Sequence, residues 1–252
     1  MISFEGKVML ITGGTRGIGA ACSRMFAEGG ADVAMSYLSD HDAAQKLAAE
    51  LAAMDADCLA VAGDLSREED AANLVNETIE RFGRIDVLVN NHGIWTEGAV
   101  DTMSVETWDK TIAVNLRAVF LVTQQVVRQM KKQGSGTIIN VSSTAGQRGE
   151  AFHSHYAASK GALISMTKSW SSELTPNGIT CNAVAPGWVD TEMCGDVFSD
   201  AAYKEEVRKS IPIGRIPPPE DIAGPIIFLA SDLARHITGE IINVNGGSVL
   251  CG

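Results

Sequence analysis

The fold of this chain is decided by the stretch Thr12-Gly13-Gly14-Thr15-Arg16-Gly17-Ile18-Gly19. The stretch follows an apolar run at 8–11 and precedes a helical pattern at 20–28, so it predicts a strand, a glycine-rich turn and a helix. Glycine permits a tight turn and the close approach of a ligand to the backbone. The helix would direct free N–H groups and its positive dipole end at the turn. We therefore expect a phosphate or pyrophosphate site here, the alternative being a plain strand–helix turn.

The rest of the chain alternates between short apolar runs and helical patterns. Such runs are typical of strands that are buried on both faces of a parallel sheet. The predicted strands cover residues 8–12, 32–37, 58–62, 85–90, 137–141, 180–185 and 241–244. Ser66 and Glu69 predict a capping box on the third helix. The alternation predicts a single-domain α/β fold over 1–252, a Rossmann-type doubly wound parallel sheet of about seven strands with helices on both faces.

Composition restricts the partners of this chain. The net charge is −11, and the one basic cluster is Arg128, Lys131 and Lys132, so nucleic acid and anionic membrane surfaces are disfavoured. No apolar run has the length of a membrane span, and the first residues lack a signal-peptide pattern. The five cysteines show no metal-binding spacing. We expect reduced thiols, no metal site and a cytoplasmic location.

The end of the second strand bears on the choice of dinucleotide. NAD-binding folds of this kind place an acid there, about 20 residues after the glycine loop, to bind the ribose. Tyr37 stands at that position, and Arg16 is able to pair with a 2′-phosphate, although Arg16 also suits a solvated surface. The pattern favours NADP(H) over NAD. Asp40 and Asp42 leave NAD open, because a shifted strand end would bring one of them closer.

Polar residues follow the third and fourth strands. Asp64 is placed to accept a hydrogen bond from an adenine amino group, or else to cap a helix or a turn. Asn90-Asn91-His92-Gly93 ends the fourth strand, and its glycine permits a close ligand. In a doubly wound sheet, ligands bind beyond the carboxyl ends of the strands. These residues are therefore predicted to lie on one rim.

An acid–base pair lies further along the chain. Tyr156 and Lys160 are four residues apart in a helical pattern and share one helix face. A lysine ammonium beside a tyrosine favours the phenolate, so we expect Lys160 to lower the pKa of Tyr156. The phenol would then exchange a proton with a carbonyl or alcohol oxygen, which Ser143, from the neighbouring strand end, would also bind. Taken alone, the spacing also suits an exposed aromatic–cation pair.

Together these residues resemble the short-chain dehydrogenase/reductase family over nearly the whole chain. Within that family the sequence looks most like 3-oxoacyl-acyl-carrier-protein reductases and related carbonyl reductases. The matching positions are Thr12-Gly13-x-x-x-Gly17-Ile18-Gly19, Asp64, Asn90-Asn91-x-Gly93, Asn115, Ser143, Tyr156-x-x-x-Lys160, Pro186-Gly187 and Asn243-Val244-Asn245-Gly246-Gly247.

The resemblance implies roles for these residues. Tyr156 would be the proton donor or acceptor, Ser143 would orient the carbonyl, and Lys160 would hold the nicotinamide ribose. Asn115 would position a water that links Lys160 to solvent; from the residues alone it is a helix-interior asparagine satisfied by backbone. The implied cofactor-binding residues are Gly13, Thr15, Arg16, Gly17, Ile18, Gly19, Ser36, Tyr37, Leu38, Asp64, Leu65, Asn91, Gly93, Tyr156, Lys160, Pro186, Gly187, Val189 and Thr191.

The resemblance also implies a homotetramer, formed through the long helices at about 105–132 and 156–174. An acyl carrier protein is disfavoured as a partner, because the chain is acidic and the helix around Trp170 has no arginine. His92 replaces the family's usual alanine, and either contacts substrate or cofactor or fills a turn position. The candidate substrate residues are His92, Trp95, Gln147, His153 and Trp188, with a lid at about 190–212.

We therefore expect an oxidoreductase that transfers a hydride between NADP(H) and a carbonyl or secondary alcohol, such as a 3-oxoacyl thioester or another ketone. One alternative is an NAD-dependent secondary-alcohol dehydrogenase. Others are a non-redox relative, such as an epimerase or lyase, and a regulatory dinucleotide-binding protein. The Ser143, Tyr156 and Lys160 set disfavours the regulatory alternative, since a sensor has no use for an acid–base pair.

Overall fold

A computed structural model describes residues 2–251. Seven parallel strands form one sheet in the order β3-β2-β1-β4-β5-β6-β7. The strands are β1 (Val8–Ile11), β2 (Asp32–Tyr37), β3 (Cys58–Ala62), β4 (Val87–Asn90), β5 (Gly136–Val141), β6 (Ile179–Pro186) and β7 (Ile241–Val244). The predicted fold class is confirmed, and each predicted strand is found within two residues of its predicted ends.

Helices connect the strands. They are α1 (Gly17–Glu28), α2 (His41–Ala52), α3 (Glu68–Phe82), α4 (Val105–Ile112), α5 (Ala118–Gln133), α6 (Thr144–Arg148), α7 (Ser154–Leu174), α8 (Gly195–Phe198), α9 (Ala201–Ser210) and α10 (Glu220–Ala230). A π-helical turn, Ala113–Arg117, joins α4 to α5, and 3₁₀ turns lie at Thr175–Asn177, Glu192–Cys194 and Asp232–Ala234.

Two apolar cores cover the two faces of the sheet. One packs α1, α2 and α10 against it around Phe26, Leu47 and Ile226. The other packs α3 and α5 around Leu74 and Val122. The α5 stripe of Val119, Val122, Val126 and Met130 is buried in that second core, so it faces the sheet rather than another subunit. Burial of these faces is the main force that holds the helices on the sheet.

The order of the strands fixes the place of a ligand. The chain builds outward from β1 in one direction and then restarts at β4 on its other side. Connections leave β1 and β4 toward opposite faces, which opens a crevice at their carboxyl ends. The glycine loop follows β1. Asn90 is the last residue of β4, and Asn91, His92 and Gly93 follow it. Both predicted motifs therefore meet at this crevice.

The capping box predicted for α3 is wrong. The helix begins at Glu68, after Arg67, and no side chain caps it. The Ser66 hydroxyl instead donates to Asp64 Oδ1 at 2.7 Å, while the Asp64 N–H donates to Asp70. Serine bonds to nearby groups as readily in turns as in caps, and here the turn after β3 uses its hydroxyl.

The predicted lid segment contains the turn at Glu192–Cys194, α8 and α9. Phe198, Val207 and Ile211 form a small apolar cluster there, and Trp188 packs against it. A lid function stays a prediction. Within residues 2–251, no helix is long and apolar enough to cross a membrane, and no three His, Cys, Asp or Glu side chains gather as a metal site.

Helices α6 and α7 approach each other at two glycines. A Cβ on Gly146 would lie 2.5 Å from the carbonyl carbon of Lys160, which is backbone and moves only with the helix. We expect Gly146→Ala to push α7 away from the sheet edge, to lower the free energy of unfolding by about 1–3 kcal/mol and to reduce turnover. Urea unfolding and initial rates measure both effects.

Gly195→Ala is the matched control. Gly195 begins α8 with a helical φ of −55°, and a Cβ there would meet no atom within 4 Å. Alanine is the better helix former, so this variant should keep the unfolding free energy of the parent or gain up to about 1 kcal/mol. Equal effects of the two substitutions would contradict the close packing of α6 on α7.

Candidate active site

One long cleft runs along the carboxyl ends of the strands and encloses about 1210 Å³. Most of the predicted site residues line it. They are Gly13, Thr15, Arg16, Gly17, Ile18, Ser36, Tyr37, Leu38, Asp64, Leu65, Asn91, His92, Gly93, Trp95, Ser143, Tyr156, Lys160, Pro186, Gly187, Trp188, Val189 and Thr191. Gly19 and Asn115 do not line the cleft; both support residues that do.

The glycine loop is built for a phosphate group. Gly13 and Gly17 have positive φ angles of 61° and 49°, which disfavour other residues. Gly19 must lack a side chain, because a Cβ would collide with the Gly13 carbonyl oxygen. No side chain caps α1, and its first turn carries no acid, so its N–H groups and positive dipole end remain available to a ligand. These features fit a dinucleotide pyrophosphate at this end of the cleft.

Two polar side chains hold the loop in place. The Gly13 N–H donates to Ser36 Oγ at 3.1 Å. The Asn91 side-chain amide donates to the carbonyls of Thr12 and Gly13, both at 3.1 Å. Ser36 and Asn91 thus tie the ends of β2 and β4 to the loop after β1. Both line the cleft and also shape its floor.

The end of β2 is where the sequence places it, at Tyr37. The Tyr37 hydroxyl and His41 Nδ1 share a hydrogen bond of 3.0 Å. Asp40 caps α2 by accepting from the Ala43 N–H, and it lies 3.9 Å from the exposed guanidinium of Arg16. Asp40 lines the cleft but follows the strand end by three residues, whereas Tyr37 occupies the usual place of the acid.

Asp64 is committed to a turn. Its Oδ1 accepts from both the N–H and the hydroxyl of Ser66, at 3.0 and 2.7 Å. This is the turn role that the sequence left open beside an adenine contact. Asp64 also lines the cleft, so its position is compatible with both.

Ser143, Tyr156 and Lys160 meet in the middle of the cleft. Ser143 begins α6, and its Oγ accepts from the Ala145 N–H at 3.1 Å. The Lys160 ammonium donates to the Val141 carbonyl, at the end of β5, at 2.8 Å and lies 5.9 Å from the centre of the Tyr156 ring. Gly93 faces this group: a Cβ there would lie 3.5 Å from Lys160 Nζ.

The net pKa shift of Tyr156 is opposite to the lowering expected beside Lys160. Burial raises the pKa of Tyr156 to about 12, and the neighbouring Ser143 opposes this only in part. Burial also lowers the pKa of Lys160 to about 8. Desolvation favours the neutral form of each group. Tyr156 is therefore a neutral phenol at neutral pH, in the state that donates a proton.

Asn115 sits in the π-helical turn and is fully buried. Its Oδ1 accepts from the Ile94 N–H at 2.8 Å, and its Nδ2 donates to the Ile94 carbonyl at 2.9 Å and to Ser159 Oγ at 3.2 Å. Backbone bonds thus satisfy most of this side chain, as its sequence position alone suggested. It fastens the loop after β4 to α7 and acts as a positioning residue.

Known proteins with similar sequences and structures decide the family. A family model described as Enoyl-(Acyl carrier protein) reductase matches residues 13–248. The chain is 41% identical to a 3-oxoacyl-(acyl-carrier-protein) reductase of Thermotoga maritima, over 98% of this chain and 99% of that protein. A crystal structure described as a short-chain dehydrogenase/reductase, glucose/ribitol dehydrogenase, from Brucella melitensis is 33% identical, with a TM-score of 0.92 over 99% of each chain. The chain belongs to the short-chain dehydrogenase/reductase family.

Other similar members differ in their named substrates. An L-rhamnose 1-dehydrogenase (NAD(P)(+)) from Sphingomonas is 38% identical over 96% of both chains. A candidate NAD(P)-dependent gluconate 5-dehydrogenase from Beutenbergia cavernae, whose structure holds NADP at low occupancy, is 34% identical, with a TM-score of 0.92 over 98% of both chains. The family resemblance predicted from the motifs is confirmed. This short-chain dehydrogenase/reductase is an NAD(P)-dependent oxidoreductase.

The family usually has alanine at position 92, whereas this chain has a histidine there whose imidazole is partly buried. Its Nδ1 is hydrogen-bonded to Thr12 Oγ1 at 2.7 Å, and its Nε2 is buried with no hydrogen-bond partner among residues 2–251. Burial and the nearby Lys160 charge lower the pKa of His92 to about 4. The Val114 backbone and the Asp64 charge oppose this shift only in part. A neutral His92 thus braces the loop after β4 against β1 and also lines the cleft.

The five candidate substrate residues divide into two groups. His92, Trp95 and Trp188 line the cleft, but Gln147 and His153 do not. Gln147 donates to Asn243 on β7 at 2.5 Å, and His153 stacks behind Trp95 with ring centres 4.4 Å apart. Neither Gln147, on α6, nor His153, just before α7, lies in the cleft wall, so their contact with substrate stays a prediction.

Several residues of the cleft wall were not predicted from the sequence. They are Thr96, Lys110, Arg148 and Glu150, among others. No local spacing marks them, because they come from separate loops and helix ends. Glu150 had one available signal: it lies six residues before Tyr156, in the loop that leads into α7.

The low pKa of His92 predicts a dependence of stability on pH. Between pH 6.5 and about 4 an unfolded His92 binds a proton that the folded one does not, so stability falls as pH falls through this window. The shift is worth at most about 3 kcal/mol. His92→Ala should therefore lose less unfolding free energy than the parent between pH 6.5 and 4, while the exposed-site control His236→Ala should match the parent. Parallel curves for all three proteins would show that His92 titrates normally.

Proposed function

We propose that this enzyme transfers a hydride between NADP(H) and a carbonyl or secondary-alcohol substrate, with Tyr156 as the acid/base. The observation that carries the proposal is the meeting of a neutral, half-buried Tyr156 with Ser143 and Lys160 in the same cleft as the uncapped start of α1. One end of the cleft suits a pyrophosphate and its middle suits proton transfer. That combination serves hydride chemistry.

The nicotinamide would supply the hydride when it is bound. The chain's residues handle the proton and the oxygen. The Tyr156 hydroxyl donates its proton to the carbonyl oxygen, while the Ser143 hydroxyl donates a hydrogen bond to the same oxygen. Lys160, held on the Val141 carbonyl at 2.8 Å, keeps a positive charge beside the developing phenolate. Alcohol oxidation runs the same steps backwards and requires the phenolate of Tyr156.

NADP(H) is the cofactor that the charges favour. The strand end carries Tyr37 where an acid would exclude a 2′-phosphate, and the exposed Arg16 guanidinium lines the cleft beside it. Asp40, 3.9 Å from Arg16, holds that guanidinium near the strand end. NAD remains the alternative cofactor, and the experiment on Arg16 separates the two.

The cleft and the similar proteins indicate the type of reaction more narrowly than they indicate the substrate. The similar proteins are named for 3-oxoacyl-carrier, L-rhamnose and gluconate chemistry, all of which involve a carbonyl or secondary alcohol. A small ketone or a free 3-oxoacyl thioester suits the cleft. The net charge of −11 would repel an acidic acyl carrier protein, so a carrier-bound substrate is the less favoured form.

Assembly and location complete the proposal. We propose a homotetramer, in line with the family, in which partly exposed surfaces of the long helices pair between subunits; Phe120 on α5 is 45% exposed. We also propose a reducing compartment such as the cytoplasm, because all five cysteines are free thiols.

The role of Tyr156 is tested by Tyr156→Phe. Removal of the hydroxyl takes away the proton donor but keeps the ring, so NADPH oxidation with a ketone should fall by roughly 10²- to 10⁴-fold. NADPH binding, followed by nicotinamide fluorescence, should change little. Retained turnover would refute the proposed acid. Loss of cofactor binding together with turnover would make Tyr156 structural.

The choice of cofactor is tested by Arg16→Ala. Loss of a charge-assisted bond to the 2′-phosphate should weaken NADPH binding by roughly 10- to 100-fold and leave NADH binding nearly unchanged. Arg24→Ala is the control, because Arg24 lies on α1, the helix that follows Arg16, and pairs with Glu50 at 2.8 Å. If both nicotinamides lose affinity equally in Arg16→Ala, Arg16 is not a phosphate clamp.

A further inference from the structure

The cleft continues beyond Ser143 and Tyr156 into an aromatic corner. Trp95 and Trp188 both line it, with ring centres 5.8 Å apart and planes at 81°. Trp95 comes from the loop after β4 and Trp188 from the segment after β6. The corner therefore joins two separate strand ends beside the proton donor.

Both indoles are supported from behind. His153 stacks on Trp95 with an interplanar angle of 2°. Phe198 of α8 and Tyr203 of α9 pack on Trp188, with ring centres at 5.5 and 6.2 Å. Side chains held in this way cannot turn freely, so the corner is formed before a substrate arrives.

A carboxylate lies in the same part of the cleft. Glu150 follows α6, is partly buried and lines the cleft. Within the part of the chain that the structure describes, its carboxylate has neither an ion-pair nor a hydrogen-bond partner. Glu150 lies in the turn that leads to His153, whose N–H donates to the Glu150 carbonyl at 3.2 Å and whose ring stacks on Trp95. The Glu150 charge also raises the pKa values of Tyr156 and Tyr203.

A carboxylate in a partly buried place is stabilised by groups that donate hydrogen bonds, because it is itself only an acceptor. Indole faces stabilise apolar C–H surfaces. A substrate that suits both carries hydroxyl groups on one side and C–H groups on the other. Glu150 would repel a carboxylate or phosphate placed beside it, and Arg148 and Lys110 in the same cleft wall would attract such a group only where it lies away from Glu150.

A cationic substrate is less well served. Arg148 and Lys110 line the cleft as well, so an ammonium group would meet charges of both signs. One face of Trp95 is already covered by His153, which leaves fewer aromatic faces for a cation. A long acyl chain would pack favourably on the two indoles, but it has no group that donates a hydrogen bond to the Glu150 carboxylate.

We propose that the corner of Trp95, Trp188 and Glu150 selects a neutral, polyhydroxylated carbonyl or alcohol, such as a ketose or polyol, with Glu150 accepting hydrogen bonds from its hydroxyl groups. The inference rests on the proposed function, because it names the substrate class of that same site. Glu150 acts on specificity and leaves the proton transfer to Tyr156.

Four ketones that differ in hydroxyl groups and in charge test this selection, with NADPH consumption as the readout. D-Fructose is the neutral polyhydroxylated probe, 5-keto-D-gluconate adds a carboxylate, 1-amino-1-deoxy-D-fructose adds an ammonium group, and ethyl acetoacetate is a plain ketone. For each, kcat/KM is compared between the parent, Glu150→Gln and Glu97→Gln. Glu97 is an exposed carboxylate outside the cleft wall and serves as the matched control.

We expect Glu150→Gln to lower kcat/KM for D-fructose roughly tenfold, since hydrogen bonds to a charged acceptor are about twice as strong as neutral ones. The same variant should improve the use of 5-keto-D-gluconate and leave ethyl acetoacetate within about twofold, while Glu97→Gln changes none of the four. Each sugar is compared with itself in the parent and in the variant, so its small open-chain fraction cancels in the ratio of the two kcat/KM values.

Two results would overturn the inference. One is an unchanged ratio of D-fructose to ethyl acetoacetate in Glu150→Gln. The other is a parent enzyme that prefers the amino sugar and loses most of that preference in the variant, which would make the corner a cation site. In both cases NADPH is still consumed, so the proposed function stands. If no ketone consumes NADPH, or if Tyr156→Phe remains active, the proposed function itself fails.

Discussion

The hydrogen bond from the buried Lys160 ammonium to the Val141 carbonyl holds the site together. It joins α7 to the end of β5 at 2.8 Å and fixes the helix turn that carries Tyr156. Removal of water from this lysine lowers its pKa to about 8, so the bond forms at the cost of desolvation. In this position the same stretch of α7 presents both the Tyr156 hydroxyl and the Lys160 ammonium to the cleft.

Close packing around this bond restricts the neighbouring residues. Gly146 lets α6 touch the Lys160 backbone, and Gly93 leaves room for Asn115 and the ammonium. Asn115, in the π-helical turn, then ties the loop after β4 to Ser159 on α7. Burial favours the uncharged form of three side chains in this group. It raises the pKa of Tyr156 and lowers the pKa values of His92 and Lys160. The site thus places a neutral proton donor in the same cleft as a phosphate-binding loop.

The sequence predicted the parts that depend on local pattern. The apolar runs and the glycine loop were sufficient for the strands and for the crevice between β1 and β4, because burial on both faces and strand–helix alternation leave few topologies. The pKa of Tyr156 was missed because the i, i+4 spacing to Lys160 shows proximity but not desolvation. The directions of Gln147 on α6 and of His153 just before α7 depend on packing against β7 and Trp95, which the sequence does not show. Glu150, in the turn before His153, was overlooked for the same reason.

The titration of Lys160 tests most directly whether burial governs this site. Lysine labelled with ¹³C at Cε is followed by NMR between pH 6 and 11, and the Lys160 signal is assigned by its loss in Lys160→Met. Burial of this ammonium predicts a midpoint near 8. A midpoint near 10.5, the value of a solvated lysine, would contradict a desolvated site.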